Sequence, residues 1–245
     1  MSDFSPPPLP PEPPPPDPPQ PPGPRSPQGI PWDDRDRLGL VTAFVETLKK
    51  VLFDPVAFFR AMPVSGGLSS PMTFGISVGY FGMIVSAFYQ TILHSLMGGG
   101  MMGGLARRDQ MERVAEMFGG VMGFVFTLIL GPFLILIGLF LGAGITHLML
   151  MLLGGAKRDF EATFRVACFA QAPAVFAIVP FCGQLVQGIY QIVLTIIGLS
   201  EAHQISKMTA ALAVLLPILL VCCCCVLTAG AMFGGLAGLA GGLPR

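Results

Sequence analysis

Long apolar runs separated by short polar stretches dominate the chain from residue 71 onward. Each run approaches or exceeds the ~20 residues that a helix needs to cross ~30 Å of hydrocarbon. The runs lie at about 71–94, 120–153, 163–179, 182–199 and 208–233. The pattern therefore predicts an all-α, polytopic membrane protein whose five transmembrane helices form a bundle.

A different pattern occupies residues 32–62, before the first long run. Apolar residues recur there at the i, i+3, i+4 and i+7 spacing of a one-sided helix, at Val41, Phe44, Val45, Leu48, Val51 and Leu52. Asp54 and Pro55 then provide an N-cap and a first-turn proline for a second short helix. We expect two amphipathic helices that lie in the headgroup plane. The alternative is that they cap the bundle as ordinary core helices.

The two ends of the chain have low-complexity composition. Residues 1–31 are rich in proline, which predicts an extended polyproline II or disordered tail. This tail is either a ligand for an aromatic groove or, as we favour, a solvated spacer. Residues 234–245 form a glycine-rich tail, and a glycine recurs at every fourth position from Gly230 to Gly242. This repeat fits a smooth helical packing seam or a frayed end equally well.

The charge pattern gives an orientation and excludes one class of partner. Formal net charge is zero, so no basic field indicates a nucleic-acid partner. On the predicted topology, Arg107, Arg108, Arg113 and Arg245 face one side, and the other ten Lys and Arg face the opposite side. The positive-inside rule then places the N-terminus in the cytoplasm and, with five spans, the C-terminus outside. Residues 1–31 contain no apolar core, so no signal peptide is expected.

Small residues and prolines mark the predicted spans. Glycines spaced four apart let helix backbones approach closely, and we predict helix-packing roles for Gly75, Gly79, Gly138, Gly142, Gly183 and Gly198. Prolines interrupt three runs, at Pro132, Pro173 and Pro217. Broken helices of this kind also occur in permeases, where they line a substrate path.

The sequence contains no constellation typical of a catalytic or ion-coupled site. Acidic and basic residues are confined to the ends of the predicted spans, which argues against a proton- or sodium-driven carrier and against a charged selectivity ring. Cys222 and Cys225 lie one helical turn apart, but neither a histidine nor a carboxylate is near them in the sequence. A tetrahedral metal site needs three or four protein ligands, so we predict neither a metal nor a cofactor.

The polar residues of this apolar body concentrate at one predicted membrane face. Two histidines fall near the cytoplasmic ends of their spans, together with hydroxyl and charged side chains. The predicted polar cluster comprises His147, Thr163, Arg165, Glu201, His203 and Ser206. An intramembrane enzyme would require that the two histidines reach a metal or a nucleophile. The simpler hypothesis is that they satisfy neighbouring backbone groups.

Several landmarks in this order resemble the bacterial branch of the Ypt-interacting-protein (Yip) family. They are the Pro31–Trp32 pair, DPVAFFRAM at 54–62, HLMLMLLGG at 147–155, Thr163 with Arg165, Pro173, Pro180, Gly183 and GLSEAHQIS at 198–206. The resemblance implies five transmembrane helices and a cytoplasmic N-terminus. Eukaryotic relatives are linked to Rab GTPases, membrane traffic and membrane shaping. We do not extend GTPase binding to this chain, and we expect a multi-pass protein of a bacterial inner membrane.

Besides the intramembrane enzyme, which depends on the reach of His147 and His203, two functional classes remain open from the sequence. The first is a non-enzymatic scaffold, organiser or bilayer-shaping protein, whose partner is the lipid bilayer and which could assemble as a homo- or hetero-oligomer. It is favoured by the amphipathic helices, the glycine seams and the lack of intramembrane charge. The alternative is a permease or channel for a small solute, favoured by the proline-broken helices.

Overall fold

The computed structural model describes residues 29–98, 121–180 and 182–241, and within these ranges the chain is helical, without β-strands. The helices are α1 (Arg35–Leu38), α2 (Leu40–Phe53), α3 (Pro55–Ala61), α4 (Ser69–Gly98), α5 (Val121–Leu152), α6 (Phe160–Phe169), a 3-10 helix (Ala172–Ile178), α7 (Cys182–His203) and α8 (Lys207–Gly241). Most of the predicted proline-rich tail lies outside the described residues. The glycine-rich stretch continues α8 as far as Gly241.

Four helices in the described ranges are long and apolar enough to cross a membrane. They cover Ser69–Leu93, Met122–Leu152, Cys182–His203 and Lys207–Thr228. The predicted span at 163–179 differs from these four, because it is split into α6 and the 3-10 helix. Pro173 accounts for the break: it has no N–H to donate to the carbonyl one turn earlier, so the α-helix ends before it.

The broken segment nevertheless follows α4 along most of its length. Gly75 of α4 lies against Cys168, and seven residues later Gly82 lies against Ala174. A further seven residues along, the Tyr89 hydroxyl donates to a carbonyl at the end of the 3-10 helix, 2.7 Å away. From position 75 to 89, α4 rises about 21 Å. A 3-10 helix rises about 2 Å per residue, so the shorter broken segment covers nearly the same distance.

Two contacts between α4 and α5 show that these helices run antiparallel to each other. Gly79 faces Ile135, whereas Met83, one turn further along α4, faces Gly131, one turn earlier on α5. The Tyr80 hydroxyl reinforces this pairing by donating to the backbone carbonyl of Leu128 over 2.7 Å.

Helices α7 and α8 continue the alternation. His203 at the end of α7 meets Thr163 at the start of α6, and Gly183 at the start of α7 meets Phe176 in the 3-10 helix. The first turn of α8 packs against Gly155, just after α5. The start of α4, the loop at 153–159 and the loop at 204–206 therefore share one end of the bundle, called here the N-terminal end.

Helices α2 and α3 form a hairpin that packs along the flank of α7 at the N-terminal end. The Tyr190 hydroxyl donates to the carbonyl of Leu52, at the tip of the hairpin. Arg60, in the returning helix, pairs with Glu201 over 3.2 Å. Eleven residues of α7 separate these two contacts, or about 16 Å of helix. The hairpin therefore lies beside one half of the bundle rather than across its end.

Helix α2 buries one set of residues against the bundle and leaves several of its apolar residues exposed. Ala43, Thr47 and Val51 are buried against the rest of the protein. Four apolar side chains of the helix remain exposed, to 39–82 % of their surface: Leu40, Val41, Val45 and Phe53. The rest of the protein therefore covers only part of the apolar surface of this helix.

A chain of aromatic rings ties the hairpin to the bundle core. Phe74 of α4 is the centre of this chain, with Trp32 and Phe44 at 5.5 Å and Phe169 at 5.2 Å between ring centroids. Phe58 of the hairpin extends it by stacking edge-on against Phe169 at 5.2 Å. Such aromatic pairs add about 0.5–1.5 kcal/mol each beyond their buried area. They hold α2, α3, α4 and α6 in one arrangement.

The six glycines predicted to pack helices fall into two groups. A Cβ at any of four of them would lie 3.3 Å or less from a neighbouring segment, as at Gly75, Gly79, Gly183 and Gly198. At Gly138 and Gly142 a Cβ would meet no atom within 4 Å. The structure therefore differs from the prediction at these two positions, which border open space instead of a packed helix.

Candidate functional site

Three residues of the predicted cluster form a buried hydrogen-bond chain at the N-terminal end. The Thr163 hydroxyl lies 2.9 Å from His147 Nδ1 and 2.9 Å from His203 Nε2. Thr163 is 1 % exposed, His147 is 7 % exposed and His203 is 0 % exposed. The chain thus joins α5, α6 and α7 through polar groups that are shielded from solvent.

The direction of this chain follows from its one unambiguous donor. The Arg158 backbone N–H donates to His203 Nδ1 over 3.2 Å, so this nitrogen is an acceptor. A neutral His203 then carries its proton on Nε2 and donates to Thr163. The Thr163 hydroxyl in turn donates to His147 Nδ1, which leaves the His147 proton on Nε2. Each of the three hydrogen bonds in the chain therefore has one donor and one acceptor.

Two helix ends bring these side chains together. After α5, Gly154 adopts φ 68°, and the Gly155 N–H bonds to the carbonyl of Leu150 over 2.7 Å. This is a Schellman-type ending, which turns the chain toward α6. Gln204 plays the same part after α7, with φ 52°. Most residues other than glycine avoid this left-handed conformation. Because Gln204 adopts it, the α-helical geometry stops there and His203 is the last residue of α7.

Arg165 belongs to a second network, which sequence reasoning did not assign. It is 2 % exposed, and its Nη2 pairs with Asp33 Oδ2 over 3.0 Å. Its Nη1 donates to the Gly67 carbonyl over 3.0 Å. Ser70 extends the network: its hydroxyl bonds Asp33, and its carbonyl accepts from the Trp32 indole N–H. The network fastens the N-terminal segment to α4 and α6.

The remaining two predicted residues lie elsewhere at this end. Glu201 accepts from Arg60 through both carboxylate oxygens, and this hydrogen bond, followed by the carboxylate charge, raises the pKa of Arg60. Ser206 caps α8, where its hydroxyl accepts from the Thr209 N–H over 3.1 Å. The six residues are therefore divided among the histidine chain, the Arg165 network, the hairpin contact and a helix cap.

The geometry of the histidine chain has a clear structural use. A hydroxyl that donates to an imidazole is also the arrangement of an activated nucleophile. Thr163 and His203, however, are only 1 % and 0 % exposed, so the hydroxyl and one of the two imidazoles are shielded from solvent. Among the described residues, no three His, Cys, Asp or Glu side chains are grouped so that they could hold a metal ion. The chain instead satisfies buried polar groups between three helices.

A comparison with known sequence families gives a match over most of the chain. The sequence-family model of the Yip1 domain matches residues 49–230, which is well over half of the chain. This range begins in α2 and ends in α8, so it includes the hairpin contact, Arg165 and the histidine chain. The chain shows no significant similarity to any curated protein or to any solved structure. With its apolar membrane-length helices, the chain is a multi-pass membrane protein that belongs to the Yip1 domain family.

Proposed function

We propose that this protein is a non-enzymatic membrane scaffold that shapes the bilayer, and that it crosses a bacterial inner membrane five times. Its direct partner is the lipid bilayer. The observation that carries the proposal is the α2–α3 hairpin, which among the described residues widens the protein at the N-terminal end only. A body that occupies more area in one leaflet than in the other favours a curved membrane.

The count of five crossings rests on the broken segment of α6 and the 3-10 helix. It runs beside α4 for about 20 Å, in the same direction, through contacts at Gly75, Gly82 and Tyr89. A non-α segment at membrane depth is tolerated when neighbouring helices bury it. Ala172, Ala174 and Ala177 of the 3-10 helix are buried in this way. With the four long helices, this segment makes five.

Charge distribution supports a cytoplasmic N-terminal end. Every Lys and Arg that the structure describes belongs to the N-terminal segment, the hairpin or the loops and helix turns at that end: Arg35, Arg37, Lys49, Lys50, Arg60, Lys157, Arg158, Arg165 and Lys207. By the positive-inside rule, this end faces the cytoplasm. The hairpin then occupies the cytoplasmic leaflet.

The exposed residues of α2 fit insertion into that leaflet. Val41 and Val45 lie one turn apart on the outer surface, and Phe53 at the hairpin tip is 82 % exposed. Moving such side chains from water to hydrocarbon is favourable by about 25 cal/mol per Å². Lys49 and Lys50, next to the hairpin tip, are also exposed, and their aliphatic stems can lie along the apolar surface of the hairpin while the ammonium groups extend toward the cytoplasmic side.

The proposal is tested by reconstituting the protein in large liposomes and measuring vesicle diameter by electron cryomicroscopy. The test variant replaces the four exposed apolar residues by serine: Leu40→Ser, Val41→Ser, Val45→Ser and Phe53→Ser. The matched control keeps them apolar: Leu40→Ile, Val41→Leu, Val45→Leu and Phe53→Leu. The wild type and the control should produce tubules or small vesicles, and the serine variant should not. Wild-type protein that leaves vesicles as large as protein-free ones contradicts the proposal.

A permease for a small uncharged solute is the alternative, because the helical bundle contains cavities of about 510 and 590 Å³. A hydrogen bond between the side chains of Gln171 and Gln191, 3.2 Å long, lies where the two cavities meet. The same liposomes distinguish the two functions. A permease predicts faster re-swelling in glycerol or urea than protein-free liposomes show, and the scaffold predicts no difference.

A further inference from the structure

Two cavities within the described part of the bundle adjoin each other. Both are partly open to the surroundings of the bundle. They share the lining residues Gly138, Leu139, Gln171, Gly188 and Gln191. The cavity of about 590 Å³ is called here the amide chamber and that of about 510 Å³ the apolar chamber. Their sizes fall within the range of about 300–1,000 Å³ that is usual for small-molecule sites.

Glycines create the space of both chambers. Gly138 and Gly142 on α5 and Gly188 on α7 line the cavities, and a Cβ on any of them would meet no atom within 4 Å. At a close helix–helix contact, by contrast, a Cβ would touch the partner, as it would at Gly82. The glycines therefore keep room free between α5 and α7 where larger residues would fill it.

The amide chamber is lined by glutamines. Gln184, Gln187 and Gln191 follow the i, i+3, i+7 spacing, so they share one face of α7. Gln90 of α4 and Gln171, between α6 and the 3-10 helix, complete the set. None of the described residues that line either chamber is charged. Five amides at one cavity of a membrane bundle are costly unless they find hydrogen-bond partners.

The apolar chamber has a different surface. Aliphatic side chains of four segments dominate it, with three threonines among them. The aliphatic residues include Ala143, Ile145, Ile192, Val214, Ile218 and Val221. Such a surface accepts hydrocarbon and provides few hydrogen bonds.

We propose that the two chambers together bind one uncharged amphiphile, with its polar head on the glutamines and a single hydrocarbon chain in the apolar chamber. Each carboxamide both donates and accepts hydrogen bonds, which suits hydroxyl or amide head groups. A charged head would be buried without a counter-charge, at a large cost. The Gln171–Gln191 hydrogen bond marks the boundary at which head and chain meet. This inference does not depend on membrane shaping.

A photoreactive 1-monoacylglycerol with a diazirine in its acyl chain tests the proposal. The full-length protein is placed in lipid nanodiscs, without sugar-based detergents that would compete, and crosslinked peptides are mapped by mass spectrometry. Labelling should concentrate on α5, α7 and α8 around Ala143, Ile192 and Val214. Excess unlabelled monoacylglycerol should remove it, and the matching fatty acid, with its ionised carboxylate, should compete at least about tenfold less well.

Two variants and a matched control separate this site from general lipid contact. Gly138→Leu fills the shared part of the chambers, and Gln191→Leu removes an amide at their boundary. Gly144→Leu is the control, because a Cβ there also meets no atom within 4 Å but the residue lines neither chamber. We expect about tenfold less labelling in the two chamber variants and wild-type labelling in the control. Equal labelling of Gly138→Leu and wild type, or equal competition by the fatty acid, overturns the proposal.

Discussion

Arg165 and Asp33 are separated by 132 residues in the chain and joined by a 3.0 Å ion pair in the structure. The guanidinium is almost fully buried, whereas the carboxylate side chain keeps 27 % of its surface exposed. This asymmetry means that the two partners depend on each other unequally. If Asp33 is lost, a buried charge has no counter-charge; if Arg165 is lost, the carboxylate can be hydrated.

The first prediction is that Asp33→Ala destabilises the protein more than Arg165→Met does. We expect Asp33→Ala to cost about 3–5 kcal/mol, the usual effect of leaving a buried charge unpaired. The double variant should recover much of that loss, because it removes the buried charge as well. Unfolding of the four proteins in the same detergent gives this double-mutant cycle.

Asp34→Ala is the control for this cycle. Asp34 pairs with Arg37 over a similar distance of 3.0 Å, but both side chains are solvent-exposed. Exposed pairs contribute little, so the loss should stay within about 1 kcal/mol. If Asp33→Ala costs no more than Asp34→Ala, the ion pair does not fasten the N-terminal segment to the bundle.

The second prediction concerns the protonation of the histidine chain. His203 and His147 should both be neutral Nε2–H tautomers near neutral pH, because Arg158 and Thr163 donate to their Nδ1 atoms. Long-range ¹⁵N–¹H correlation spectra of the imidazole rings report the tautomer directly. An Nδ1–H tautomer at His203 is incompatible with the direction of the chain.

Thr163→Val should break the same chain. The substitution keeps the side-chain shape and leaves the buried nitrogens His147 Nδ1 and His203 Nε2 without their partner, at a cost of about 1–3 kcal/mol. Thr195→Val is the matched control, because the Thr195 hydroxyl bonds only the carbonyl of Gln191 in its own helix. Equal thermal stability of these two variants means that the buried chain does not join the three helices.

A third prediction separates the two kinds of glycine. At Gly82 a Cβ would lie 2.8 Å from the carbonyl oxygen of Ala174, and this backbone atom cannot move aside cheaply. Gly82→Ala should therefore cost about 1–3 kcal/mol. A Cβ at Gly142 would meet no atom within 4 Å. The better helix propensity of alanine should therefore make the Gly142→Ala protein more stable than the wild type, by up to about 1 kcal/mol. The order of thermal unfolding midpoints tests this, and similar midpoints would rule out the close contact at Gly82.

Much of the helical architecture can be predicted from the sequence, because the length of an apolar run is a local property. The runs at 71–94 and 182–199 correspond closely to α4 and α7. The exact form of the third run could not be predicted, since its partly 3-10 geometry depends on how Pro173 packs against α4. The amphipathic pattern of α2 likewise indicates a one-sided helix but not which of its apolar residues contact the bundle.

The site was predictable in part for a similar reason. Polar residues in an apolar body are conspicuous, which identified His147, Thr163 and His203. The partner of Arg165 was missed, although a signal existed: a cationic residue just inside an apolar run needs a counter-charge, and the acidic residues before α2 could supply one. The chamber glycines could not be recognised, because Gly138 and Gly142 look the same whether a helix or a cavity faces them.

The location of the α2–α3 hairpin in one leaflet is the claim on which the membrane-shaping account depends. Spin labels at Val45→Cys and Phe53→Cys, with all six native cysteines replaced by alanine, measure it through collisions with oxygen and with a water-soluble nickel chelate. Asp36→Cys, an exposed position of α1, provides the aqueous reference. We predict that both hairpin labels collide mainly with oxygen, as lipid-embedded groups do. Labels at Val45 and Phe53 that are as accessible to the nickel chelate as the label at Asp36 would contradict the account.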